Sequence, residues 1–209
     1  MTFSKYTNRT ITTPYQDKGR GGTTIDRIVL HHMASTGFEG VLSMWTNATR
    51  QGSANYAISN EGQIVGAVPE ENRSWSLSNY PFDARSITFE IENESLGGSW
   101  PVSPAAHDAT AKVVADICTR YGIPCDRRHV LTHREVAAMG YSYATACPGG
   151  LNADLIVKLA NDYIMGLTKD ADSEAKKIEE DYRMTQGSYY RLAPRQLISF
   201  LPSVLTDLL

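Results

Sequence analysis

No stretch of the sequence is apolar for the roughly 20 residues a membrane-crossing helix needs, so none reads as a spanning segment. The opening residues, Met1-Thr2-Phe3-Ser4-Lys5-Tyr6, lack the apolar region of a secretion signal. The expectation is synthesis in the cytosol without a signal peptide. Cysteine is scarce and odd in number: Cys118, Cys125 and Cys147. Such usage does not suggest a disulfide framework. Cys118 and Cys125 bracket a helix end and turn and read as two packed thiols, with pairing outside the cell as the alternative. Positive charge is not in excess: 20 Lys and Arg stand against 23 Asp and Glu, for a net charge of −3. That argues against a nucleic-acid binder, which concentrates basic residues on one face. No internal repeat is present, so solenoid and propeller arrays are excluded.

What remains is an ordinary globular composition, 42% hydrophobic over 209 residues, enough for one well-packed domain and an appendage. Residues 1–24 are polar and read as an irregular arm. Arg27 to His32 reads as a buried strand, and Glu39 to Asn47 as a short helix. Tyr56–Ser59 and Ile64–Val68 flank a turn at Asn60–Gly62, the pattern of a hairpin. Ser86 to Glu92 alternates Ile87, Phe89 and Ile91 with Thr88, Glu90 and Glu92, a strand of period two. Pro104 to Tyr121 reads as an amphipathic helix stopped by Gly122 and Pro124, and Val130 to Thr132 as a short strand feeding His133. Asp154 to Met165 reads as a further helix. Alternating strands and helices predict an α/β domain, a central mixed β-sheet flanked by helices. Composition shifts near Leu167. Residues 1–167 form the expected main domain, 168–186 a charged helix or linker, and 187–209 a short apolar segment for docking, self-association or the start of a second module.

Three short stretches carry the chemistry: Ile28-Val29-Leu30-His31-His32, His133-Arg134-Glu135 and Ala146-Cys147-Pro148. Two imidazoles and one thiol, each beside apolar residues that would hold it still, suit zinc. Three protein ligands leave the fourth tetrahedral position for water, which zinc can activate for attack on a carbonyl. Alternation puts His31 and His32 on opposite faces of their strand, and the residues alone do not choose between them. Thr88, Glu90 and Glu92 share one face of their strand, so the pattern alone does not tell the two carboxylates apart. His129 reads as a surface or outer residue, and His107 as a solvated one near a helix start.

These pieces resemble the zinc-dependent N-acetylmuramoyl-L-alanine amidases of the phage-lysozyme and peptidoglycan-recognition-protein type. The matching segments are IVLHHMAS, ANYAISNEGQIV, SITFEIEN, and THREVA followed by ACPGG, in the family's order across about residues 25–160. The resemblance implies a zinc site in a surface groove over the sheet, with His31, His133 and Cys147 as Zn2+ ligands. It implies Glu90 as general base and Thr145, where some relatives carry Lys, as donor to the oxyanion. Ala54 stands where some phage relatives have a catalytic Tyr. The connection from His133 to Cys147 is longer than in many relatives, and its residues Ala137 to Ala144 are expected to form a flap with Tyr141 or Tyr143 touching substrate. Asn55, Trp75 and Asn93 are further expected contacts, and Tyr80 lies in the same loop as Trp75. The implied partner is bacterial peptidoglycan, and the implied setting a phage or prophage endolysin reaching the wall by holin-type escape or lysis. The rivals are a non-catalytic wall-binding module and a cytosolic muropeptide-recycling amidase.

Overall fold

The computed structural model describes residues 1–47 and 51–166. The expected segments 168–186 and 187–209 lie outside the described residues. Among the described residues the chain forms strands Arg9–Thr10 (β1), Gln16–Asp17 (β2), Arg27–His32 (β3), Tyr56–Ile58 (β4), Ile64–Gly66 (β5), Arg73–Ser74 (β6), Ser86–Ile91 (β7) and Val130–Thr132 (β8). The helices are Phe38–Thr46 (α1), Tyr80–Ala84 (α2), Pro104–Tyr121 (α3), His133–Ala138 (α4) and Ala153–Ile164 (α5).

Six strands build one sheet in the order β1-β5-β4-β7-β3-β8, while β2 and β6 form a separate antiparallel pair. Only β4 and β5 run antiparallel within the large sheet; every other neighbouring pair is parallel, so the sheet is mixed. The β4–β5 turn is the expected hairpin, closed by Ser59 N–H donating to Gln63 O at 3.0 Å. Gly62 sits there at φ +81°, a left-handed conformation that costs glycine little.

Parity along the strands decides the layers. Ile28 and Leu30 of β3, and Ile87, Phe89 and Ile91 of β7, enter the main core with α3 and α5. Val29 faces the other way, into a smaller cluster with Leu77, Phe82, Leu131 and Val136. On that second side α1 packs Phe38, Leu42 and Trp45 against Ala54, Ala57 and Val65. Helix α3 starts where the Ser103 side chain accepts from Ala106 N–H with Pro104 following, and it ends at Gly122 with φ +65°.

The first 24 residues are not an irregular arm. They carry β1 and β2, each two residues long, too short for periodicity to register. The segment is held by the buried Arg20, whose Nη1 donates to the carbonyls of Asp83, Ala84 and Ser86, and whose Nε donates to Glu70 O.

His107, expected to be solvated, is 6% exposed. Its Nδ1 bonds Ser103 O at 2.8 Å, and its Nε2 accepts the Asn152 N–H at 3.0 Å, joining the start of α3 to that of α5. Burial holds its pKa below the ordinary histidine value. With the folded pKa depressed, the unfolded chain takes the proton first, so stability is lost as pH falls below about 6.5, with a slope approaching roughly 1.4 kcal/mol per pH unit. Urea titrations between pH 6.5 and 5.5 should therefore show a steeper loss for the wild type than for His107→Gln. Equal slopes would refute this role.

Candidate metal centre

In parallel α/β sheets the carboxyl ends of the strands are where ligands gather, because the connecting loops open there. Three adjacent parallel strands deliver this site. His31 lies near the end of β3 and is the register partner of Glu90 on β7, so the two side chains emerge side by side on one face. His133 follows β8 directly, as the first residue of α4. A capping box sets that junction: the Thr132 side chain accepts from Glu135 N–H, while the Glu135 carboxylate accepts from Thr132 N–H at 2.7 Å. Thr-His-Arg-Glu is readable as such a box in the sequence and marks a helix start that periodicity over six residues does not reveal.

Cys147 arrives on a loop held from several sides. Arg134 Nη2 donates to Ala146 O at 2.7 Å, Cys147 N–H donates to Thr145 Oγ1 at 3.1 Å, and Gly150 N–H donates to Trp100 O at 3.1 Å. A Cβ at Gly149 would lie 2.7 Å from Trp100 Cβ and 3.1 Å from the His32 ring, so this close approach requires glycine. The ligand atoms of His31, His133 and Cys147 lie within 4.8 Å of one another.

The donor set fits a thiophilic divalent cation. His31 is 2% exposed, and its Nε2 is buried with no hydrogen-bond partner, which is costly for a polar atom unless something else meets the ring. Burial first, then the neighbouring His133 and His32, pushes His31 well below the ordinary histidine pKa. Burial does the same to His133, favouring neutral imidazoles. Burial, and next the Glu90 carboxylate, pushes the Cys147 thiol up, against the His32 backbone hydrogen bond and the Arg134 guanidinium. Neutral imidazoles are the form in which histidine binds metal, and a buried thiol needs a cation to become a thiolate.

The three residues open into a cavity of about 600 Å³ that Glu90 and Thr145 also line. Trp75 lines it too, its indole N–H donating to Asp17 Oδ1 at 3.0 Å, and Tyr143 stands edge-on to the His133 ring at 5.0 Å. Tyr141 points elsewhere, packing on Phe82 at 5.2 Å. Tyr80 is half exposed beneath the Arg73 guanidinium. Glu92 shares Glu90's parity but lies beyond the strand end. Its two oxygens accept from Phe38 N–H and Asn60 N–H, each at 2.9 Å.

Asn55 and Asn93 do not contact the cavity, and the expectation of substrate contact is corrected for both. Asn55 is fully buried, donating to Val68 O and accepting from Thr88 N–H. Asn93 is equally buried, its Oδ1 on His32 Nδ1 at 3.0 Å and its Nδ2 donating to Trp100 O. Side-chain amides of this kind satisfy backbone groups that a buried loop leaves unpaired. His129 bonds Asp126 at 2.7 Å, away from the cavity.

Trp45 and Trp100 also line the cavity, unforeseen from sequence. Among the described residues, the non-glycine positions with positive φ are Ala34, Ser78 and Trp100, and all three belong to the cavity wall. Backbone strain concentrates where geometry matters for function.

Two imidazoles, a thiol and a carboxylate thus meet in one open cavity at the carboxyl edge of the sheet, a donor set suited to metal-assisted hydrolysis. The family model for N-acetylmuramoyl-L-alanine amidase matches residues 21–150, and the chain belongs to that family. Its reaction is hydrolysis of peptidoglycan at the amide between N-acetylmuramic acid and L-alanine. Among solved structures, a selenomethionine derivative of AmpD is similar at 19% identity and TM-score 0.61, covering 76% of this chain and 99% of that one. The Staphylococcus aureus hydrolase AmiA in complex with its ligand has 19% identity and TM-score 0.61, over 75% of this chain and 82% of that one. The endolysin amidase LysCS from Clostridium intestinale has 17% identity and TM-score 0.51, over 74% and 97%. At these identities the likeness is one of fold. No curated protein matched the chain.

Proposed function

We propose that the chain is a zinc-dependent, bacteriolytic amidase of the phage endolysin kind. The observation that carries this is the convergence of His31, His133 and Cys147 within 4.8 Å, beside Glu90. Zinc held by these three would polarise the scissile lactyl carbonyl and acidify a water. Glu90 then takes a proton from the attacking water and returns it to the leaving L-alanine nitrogen. Thr145 Oγ1 accepts from the Cys147 N–H, so its own hydroxyl proton remains available to the oxyanion. Trp75 and Tyr143 wall the groove, offering aromatic faces to sugar or stem peptide. Residues 1–167 constitute the catalytic unit, 168–186 the charged connection, and 187–209 a segment for docking, self-association or wall attachment. The protein works at the cell wall after release from the cell that makes it.

The deciding experiment is mass spectrometry of purified peptidoglycan after digestion, with and without a zinc chelator. Stem peptides with a new N-terminal L-alanine, lost on chelation and restored by zinc, are expected. Intact wall merely carrying bound protein would sink the catalytic reading. Cleavage confined to soluble muropeptides would replace the endolysin role with a recycling one.

A further inference from the structure

The segment between His133 and Cys147 does something besides forming one side of the cavity. Helix α4 ends in a Schellman motif: Gly140, at φ +85°, donates to Ala137 O at 2.9 Å, and Tyr141 N–H donates to Val136 O at 3.1 Å. This reversal brings Ser142 back beneath the ring of His133. Ser142 Oγ lies 2.9 Å from His133 Nε2 and donates to Leu77 O, also at 2.9 Å. Leu77 is fully buried, and its own N–H is anchored on Asp83 Oδ1 at 3.1 Å.

The proton count is decisive. A hydroxyl carries one hydrogen, and a carbonyl oxygen can only accept. With that hydrogen committed to Leu77 O, Ser142 Oγ can only accept from the imidazole. His133 must therefore carry its hydrogen on Nε2, which leaves the lone pair on Nδ1. We infer that Ser142 is a positioning residue for the metal centre: it fixes the tautomer and ring orientation of His133, so that Nδ1 is the atom offered to a cation. The residues that make this connection long thus supply a ligand's outer partner. Such partners are worth about 10–100-fold in metal affinity. The inference rests on the zinc reading above.

Two measurements separate the two readings. Long-range 1H–15N spectra of the metal-free protein, labelled at histidine, should show His133 as the Nε2–H tautomer in the wild type and as a mixture in Ser142→Ala. Chelator competition should show Ser142→Ala binding zinc about 10–100-fold more weakly, with Ser142→Thr, which keeps the hydroxyl, restored towards the wild type. An Nδ1–H tautomer in the wild type, or unchanged zinc affinity in a folded Ser142→Ala, would overturn the role of Ser142. Undiminished zinc in His133→Ala would overturn the metal reading instead. The tautomer spectrum is recorded without metal and stands independently of it.

Discussion

Glu90→Gln is expected to slow amide hydrolysis by about 10²–10⁴-fold, the usual contribution of a positioned general base, while zinc content stays at the wild-type level. Glutamine keeps the shape and removes the proton acceptor. The choice of Glu90 follows from depth along the strand. Glu90 is level with His31 across β3 and β7, whereas Glu92 has passed the end of the strand and caps two backbone N–H groups. Glu92→Gln should therefore retain turnover and lose stability, because it weakens acceptors for Phe38 and Asn60. Turnover by purified, zinc-loaded protein and a urea titration of both variants distinguish the roles. Near-normal turnover in Glu90→Gln would remove it from the mechanism.

Cys147→Ser should abolish tight zinc binding and reduce hydrolysis by at least about 10³-fold, more than loss of a single oxyanion donor costs. Serine preserves volume and the loop, but its hydroxyl does not ionise as a thiolate does, and only the ionised sulfur is the ligand. The loop should survive, since its main anchors run through Ala146 O, Thr145 and Gly150, and a serine oxygen can still accept the backbone hydrogen bond that His32 makes to the sulfur. Metal analysis of the purified protein and release of L-alanine-terminated peptides are the readouts. Losses from His31→Ala or His133→Ala should be of similar size and should not add, because the ligands act as one unit. A Cys147→Ser protein that keeps stoichiometric zinc and normal turnover would exclude Cys147 as a ligand.

Much of this architecture is legible in single segments. The alternation of Ile87, Phe89 and Ile91 with Thr88 and Glu90 marks β7 and tells its buried side from its working side. The glycine turn marks the β4–β5 hairpin, and Ser103-Pro104 with Gly122 brackets α3. Strand order is not legible, because parallel pairing joins segments far apart in sequence and leaves no local trace. Parity could not separate Glu90 from Glu92, since both have the same parity; their neighbours across the sheet separate them. Asn55 and Asn93 look like substrate contacts in sequence because a short amide serves a ligand and a buried backbone equally well. Only knowledge of the surrounding carbonyls assigns them to the scaffold. The support of His133 by Ser142 depends on a chain reversal at Gly140 that composition alone does not announce.

Strand β3 lies between β7 and β8, both of which follow it in the chain. The strand translated first among the three is thus the one enclosed last. A ribosome-bound chain that stops before Val130 leaves one side of β3 unpaired, and one that stops before Cys147 lacks the thiol of the cluster. The cluster of His31, His133 and Cys147 is accordingly withheld from translation products that stop short of Cys147.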